Sequence, residues 1–424
     1  MTATVSQLSR HDIKTIMLSL LGGALEVFDF IIFVFLSTTI ATVFFPADTP
    51  EWIRLLESMT IFSVGYLARP VGGLLIAHFS DRYGRKHMFN FTVLFMAVPC
   101  LAMGLLPGYA QIGYWAPLLL LLARLVQGAA LGGEVPNAWV FVSEHTPASH
   151  RGLALGMLQA GLTFGYMLAA LTIMLVTRTF SADELTQWAW RIPFIVGGVL
   201  GFISIWLRRW LRETPVFVAL QQEKALSPRL PLAEILREHR KAAIPAMLLT
   251  AILTSAVIIS VVVLPIVLQK TWHMDAATTF EISCAGIFAL NVGCLIAGRL
   301  ADRFGAWRTV ALYSLLLAAG VTLMNAAMGS STHIILFCYC LLGLCSGVIA
   351  AVPAVMVQLF PAQVKVTGIS LIYNLSYSLC SSVLPLLLLS LYQYAHWTLT
   401  SFAWLVALVG VMTFTLYRKI ALFN

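Results

Sequence analysis

Six ionisable residues stand within or at the end of long apolar runs: Glu26, Asp29, Arg69, Arg124, Glu134 and Glu144. A charge in hydrocarbon is costly, so such residues are read first as parts of an ion or substrate pathway. Glu26 and Asp29, three apart, share one helix face. At a rise of ~1.5 Å per residue, Asp29 lies ~20 Å from the start of its run and Arg124 ~12 Å from the start of its own, which runs the other way. Across a ~30 Å hydrocarbon core these heights coincide, and the same arithmetic brings Glu26 level with Arg69. Burial favours a protonated carboxyl and a nearby guanidinium favours the ionised one, so an acid whose distance to an arginine changes can take up and release a proton. Asp29, Glu26 and Arg124 are therefore the expected proton-coupling residues, with a static ion pair between two helices as the alternative. Arg69 and Arg124 offer forked recognition of a carboxylate, which makes a small organic anion or zwitterion the expected substrate. Arg69 could instead cap the carbonyl freed by Pro70. Gln127, Asn137, Gln159 and Tyr166 in the first half of the chain, and Asn291, Tyr373 and Asn374 in the second, complete the expected substrate-binding set. Hydrogen bonding between helices is the competing role for each of these polar residues.

The elements that position these residues follow from composition. Of 424 residues, 60% are hydrophobic and only 10% charged, against about a quarter charged in soluble proteins. A soluble globule is excluded, and unbroken apolar runs such as 243–268 do not alternate as the strands of a membrane barrel would. Twelve runs have the length of membrane-spanning helices: 16–37, 59–80, 88–106, 116–142, 152–177, 190–210, 243–268, 279–300, 308–328, 333–359, 366–391 and 397–417. The expected fold is an all-α polytopic membrane protein of two pseudo-symmetric six-helix bundles. The longest charged stretch, Arg208 to Lys241, divides the chain into a first bundle at 1–211, a cytoplasmic linker at 212–241 and a second bundle at 242–424. Of the 26 lysines and arginines, Arg54, Arg178, Arg191 and Lys270 fall in one set of connections and Arg69 and Arg124 within helices, leaving twenty on the other set. Excess positive charge marks the cytoplasmic side, so both termini are expected there. The net charge of +8 is then explained by anionic lipid rather than nucleic acid. The seven cysteines sit in apolar segments without CxxC spacing and read as buried hydrophobes, and the N-terminal run lacks a signal-peptide cleavage pattern. His78, His87 and His145 have no ligand spacing; no catalytic site, metal or cofactor beyond the coupling proton is expected.

An internal repeat joins the two halves. Gly72 to Lys86 reads GGLLIAHFSDRYGRK and Ala297 to Arg308 reads AGRLADRFGAWR, each with an Asp-Arg-x-Gly turn closing the second helix of its half. Asp81, Arg82, Arg85, Glu134, Glu144, Arg151, Asp302 and Arg303 are expected to form a charge network closing the inner side, a two-state element of the kind alternating access needs.

The turn of the first copy, with Ala77 where glycine is usual, resembles the loop signature of the major facilitator superfamily. LEVFDF (25–30), YLARPVGG (66–73), ARLVQG (123–128), LGGE (131–134), WRIPF (190–194), RETPVF (212–217) and TGISLIYN (367–374) are similar to its metabolite:proton symporter branch. Val135, Pro136 and Asn137 depart from that branch. The resemblance implies proton-coupled symport of an organic acid or osmolyte by a monomer in the inner membrane of a bacterium, with proton-driven efflux as the alternative. It also matches Asp29 and Arg124 to an acid and an arginine assigned to proton coupling in related sugar porters.

Overall fold

The computed structural model describes residues 10–222, 240–392 and 394–422, with the side chain of Glu26 outside the described ones. Twelve helices among these residues are long and apolar enough to cross a membrane. In chain order they are α1 (Arg10–Phe35), α2 (Glu51–Tyr83), α3 (Arg85–Leu105), α4 (Trp115–His145), α5 (Arg151–Thr179) and α6 (Arg191–Arg208). The second half holds α7 (Ala242–Lys270), α8 (Ala276–Phe304), α9 (Ala306–Ala326), α10 (Thr332–Met356), α11 (Lys365–Tyr392) and α12 (Thr398–Leu422). The spans expected from apolar runs are all present, and α2 and α4 extend beyond them through polar residues at their ends. Most of the expected linker, at 223–239, lies outside the described residues; its first part forms a short helix, Pro215–Gln222. Just before that helix, the Glu213 carboxylate accepts hydrogen bonds from the backbone N–H of Arg85 and Lys86 at 3.1 and 3.2 Å, neutralising the exposed donors at the start of α3.

The two six-helix bundles meet where α2 packs on α11 and α5 on α8. Small residues make these approaches possible. A Cβ on Gly152 of α5 would fall 2.5 Å from the Gly298 carbonyl oxygen of α8, a backbone contact of the sort that holds helices together where lipid removes the hydrophobic drive. The ends carrying Arg82, Arg85, Lys86, Arg151, Arg208 and Arg303 all lie on one side of the bundle, the basic face.

Candidate functional site

Inside the first bundle α2 and α4 cross in near backbone contact. A Cβ on Gly128 would sit 1.9 Å from the Gly65 carbonyl oxygen, and one on Gly132 would sit 2.1 Å from that of Arg69. This crossing fixes Arg69 near the middle of the membrane, with its side chain pointing toward the second bundle. Its guanidinium carbon lies 4.5 Å from the ring centre of Tyr377, 5.6 Å from that of Tyr66 and 5.8 Å from that of Tyr373. Tyr66 stands one turn before Arg69 on α2, and Tyr373 and Tyr377 one turn apart on α11, so helix periodicity alone closes the cage. Cation–π contact stabilises a desolvated guanidinium, yet Arg69 Nε has no hydrogen-bond partner, and no acidic side chain among the described residues pairs with it. The cage forms one wall of a central cavity of about 60 Å³ also lined by Gln159, Thr163, Tyr166 and apolar Val27, Phe30, Leu131 and Val135. Gln159 Oε1 is buried and lacks a partner. Tyr166 also lines a second cavity, of about 510 Å³, whose other walls include Phe35, Arg178, Gln269 and Glu281. These residues lie at helix ends away from the basic face, so that cavity opens on the opposite side.

Asp29 and Arg124 stand behind this cavity, not in it. The Asp29 side chain is buried and turns toward α6 and α3. A Cβ on Gly197 would lie 2.2 Å from Asp29 Oδ1 and 3.0 Å from Cys100 Sγ, so only glycine leaves room for the carboxyl. Arg124, fully buried, donates through Nη1 and Nη2 to the Phe30 carbonyl at 3.3 and 3.4 Å and through Nη1 to Gln127 Oε1 at 3.1 Å. Its guanidinium carbon lies 4.0 Å from the Phe33 ring centre. The ion pair expected between Asp29 and Arg124 is not made in this conformation. Arg124 is near enough to act on Asp29 electrostatically, but its terminal nitrogens bond a backbone carbonyl and an amide, and both Arg124 Nε and Asp29 Oδ1 are without a hydrogen-bond partner.

The basic face is closed by two related contacts. Asp81, ending α2, accepts from Val366 N at 3.3 Å, Thr367 N at 2.8 Å and Thr367 Oγ1 at 2.9 Å, all at the start of α11. Asp302, ending α8, accepts from Gly152 N at 2.6 Å and Leu153 N at 2.8 Å at the start of α5. Each repeat thus presents its aspartate to a helix N-terminus of the other half, where free N–H groups and the helix dipole favour a carboxylate. Arg85 reinforces the first contact: it lies 3.5 Å from Asp81 and 3.2 Å from Glu144, and donates to the Ala362 carbonyl at 2.7 Å. Lys365 reaches Glu144 at 3.9 Å. Losing such a cap costs about 1–2 kcal/mol. Asp81→Ala should therefore speed amide hydrogen exchange at Val366 and Thr367 by roughly five- to thirtyfold, the factor that energy converts to; unchanged exchange would show that the cap does not hold this face shut.

The sequence profile described as Major Facilitator Superfamily matches residues 19–385. The chain belongs to that superfamily. Its relatives include the inner membrane metabolite transport protein YhjE of Escherichia coli, 32% identical over 88% of this chain and 86% of the relative. The proline/betaine transporter of Salmonella typhimurium is 30% identical over 86% and 74%, and the alpha-ketoglutarate permease of Escherichia coli 31% identical over 94% and 92%. Among solved structures, the proton:xylose symporter XylE bound to 6-bromo-6-deoxy-D-glucose matches with a TM-score of 0.80 at 15% identity, covering 97% of this chain and 96% of that one, which shows the shared fold. The chain is a multi-pass membrane transporter and not an enzyme.

In this facilitator fold, Arg69, Gln159, Tyr166 and Tyr373 come together at the cavity, while other expected substrate contacts lie elsewhere. Arg124 and Gln127 belong to the layer behind, with Gln127 also donating to the Met96 carbonyl at 3.3 Å. Asn137 accepts from Ser80 at 2.8 Å and donates to the Arg85 carbonyl at 3.2 Å, pinning the α2–α3 turn. Asn374 donates to the Gly132 carbonyl at 2.7 Å and Asn291 accepts from the Thr163 hydroxyl, so both tie the halves together. At the basic face Asp81, Arg85 and Glu144 come together, and Asp302 makes its own contact with the start of α5. Glu134 instead pairs with Arg208 at 2.9 Å and accepts from Thr92, inside the first bundle. Arg82 and Arg303 are exposed and lie over the neighbouring Tyr83 and Phe304 rings. Arg151 donates to the Ser143 carbonyl at 3.1 Å within its own half. Tyr66, Lys365 and Thr367 are absent from the expected set; the i−3 spacing of Tyr66 from Arg69 is the signal that points to one of them.

Proposed function

We propose that this transporter carries a small carboxylate, an organic acid or a zwitterionic metabolite, into a bacterial cell with protons, by alternating access across the inner membrane. The observation that carries the reading is Arg69: a buried guanidinium facing the central cavity from a tyrosine cage, with no acidic partner among the described residues. A buried cation without a counter-charge is costly, and a forked carboxylate contact from the substrate would supply one. Proline, betaine and α-ketoglutarate, the compounds in the relatives' names, each carry a carboxylate, and the tyrosine faces also suit a zwitterion's ammonium group. In this reading Asp29, buried beside Cys100 with no cation bonded to it, holds a proton in the present conformation, because the neutral carboxyl is the cheaper form to bury. Glu26 is assigned to the same coupling region from its sequence position alone. The excess of lysine and arginine on the basic face supports cytoplasmic termini. With the basic face taken as cytoplasmic, its closure and the wide opposite cavity support an outward-facing state, and we take the working unit to be the monomer.

The test is uptake of carboxylates and betaines into proteoliposomes, with and without an inward proton gradient and a protonophore. One proton per substrate driven by one pH unit sets an accumulation limit of about tenfold. Accumulation approaching that limit and abolished by the protonophore is the expected result; uptake that never exceeds equilibration for any compound would overturn the reading.

A further inference from the structure

The substrate cavity and the proton-carrying carboxyl are separate, so something between them must report occupancy of one to the other. Phe30 lines the cavity and bonds Arg124, the cation beside the carboxyl. Its ring lines the central cavity and meets Tyr66 of the Arg69 cage edge-on at 5.0 Å. Its backbone carbonyl accepts from both terminal nitrogens of Arg124, and its ring also lies 5.2 Å from the Arg124 guanidinium carbon. Asp29, the preceding residue, projects to the other side of α1 against Gly197 and Cys100.

From this arrangement, and resting on the proton-symport reading above, we infer that Phe30 is the positioning residue that couples substrate binding to proton release. Arg124 bonds the Phe30 carbonyl through both terminal nitrogens and lies close enough to Asp29 for the two charges to interact, but it makes no ion pair with it while its guanidinium is held in that position. In the present conformation the carbonyl holds both terminal nitrogens, and Asp29, beside Cys100, has no cation bonded to it and leaves Oδ1 without a hydrogen-bond partner. A substrate carboxylate on Arg69 presses on Tyr66 and on the Phe30 ring. Because the ring and the carbonyl belong to one residue of α1, a shift of that turn of the helix under pressure on the ring moves both together and loosens the carbonyl's hold on Arg124. The freed guanidinium then pairs with Asp29, which gives up its proton to water once the basic face opens. The aromatic contacts of Phe30 with Phe62 at 5.2 Å and with Tyr66 make the ring stiff enough to transmit a small movement, since close-packed groups shift between discrete arrangements instead of yielding gradually.

The test compares wild type, Phe30→Ala, Phe30→Leu and Asp29→Asn in proteoliposomes by two readouts: exchange of labelled for unlabelled substrate, which needs no proton movement, and accumulation under an inward proton gradient. Because Phe30 also lines the cavity, Phe30→Ala lowers exchange to some extent, but it should lower accumulation at least about tenfold more than exchange, so that protons and substrate no longer move in fixed ratio. Phe30→Leu, which keeps apolar bulk but not the edge contact with Tyr66, should fall between and serves should the alanine variant fail to fold. A structural role alone would lower exchange and accumulation together, and that result, or wild-type accumulation in both variants, overturns the inference. The underlying reading is tested separately in the same assay: if Asp29→Asn accumulates substrate as wild type does, proton coupling at Asp29 is wrong whatever Phe30 does.

Discussion

Alanine at position 69 should abolish substrate binding, weakening it by roughly a hundred- to a thousandfold. A bidentate charge-assisted contact in a desolvated site is worth about 3–4 kcal/mol, and the described residues offer no second cation in the central cavity to replace it. Arg69→Lys should also fail, losing at least about tenfold, because an ammonium cannot present two parallel donors or stack on three tyrosine rings as a guanidinium does. The stability of the unliganded protein should be unchanged or improved, since the substitution removes a buried charge whose Nε lacks a partner. Calorimetric titration of the variants with a transported carboxylate is the check. Affinity within threefold of wild type would place the substrate somewhere other than the cage.

The second large effect is at Asp29. Asn has the same shape as a protonated aspartate and cannot release a proton, so Asp29→Asn should reduce accumulation from about tenfold per pH unit to simple equilibration while leaving exchange close to wild type. Asp29→Glu should also transport poorly, for a different reason. The carboxyl already touches the space of a missing Cβ at Gly197 and lies beside Cys100, and an added methylene in a packed site costs about 1–3 kcal/mol. Gradient-driven uptake by purified variants distinguishes the outcomes. Full accumulation by Asp29→Asn would remove this residue from the coupling path.

The architecture is readable because membrane insertion writes a strong signal: every spanning helix carries a long apolar run, and the repeated Asp-Arg-x-Gly turn marks both contacts of the closed face. The site was readable only in part, for a geometric reason. Height along a helix follows from counting residues, so Asp29 and Arg124 do come near each other; facing depends on packing, so the sequence could not show that both lie behind the cavity. Asn137 and Asn374 illustrate the same limit. Each is a buried amide on an apolar helix, and nothing in the local sequence tells whether its partner is a substrate or a neighbouring carbonyl. Arg82 and Arg85, three apart, share a motif and diverge in fate: Arg85 turns in to Asp81 and Glu144, whereas Arg82 turns out over Tyr83. Glu134 pairs with Arg208 because α6 packs on α3 and the Arg208 side chain reaches across Phe89 to α4, a long-range juxtaposition that no local pattern encodes.

The most direct test of proton symport is to record the pH inside proteoliposomes when an inward substrate gradient is imposed and no proton gradient exists. With a substrate whose own carboxyl stays ionised throughout, the lumen of vesicles carrying the wild-type protein should acidify in step with substrate entering, and vesicles carrying Asp29→Asn should admit substrate without acidification. Substrate entering wild-type vesicles at constant internal pH would contradict the account.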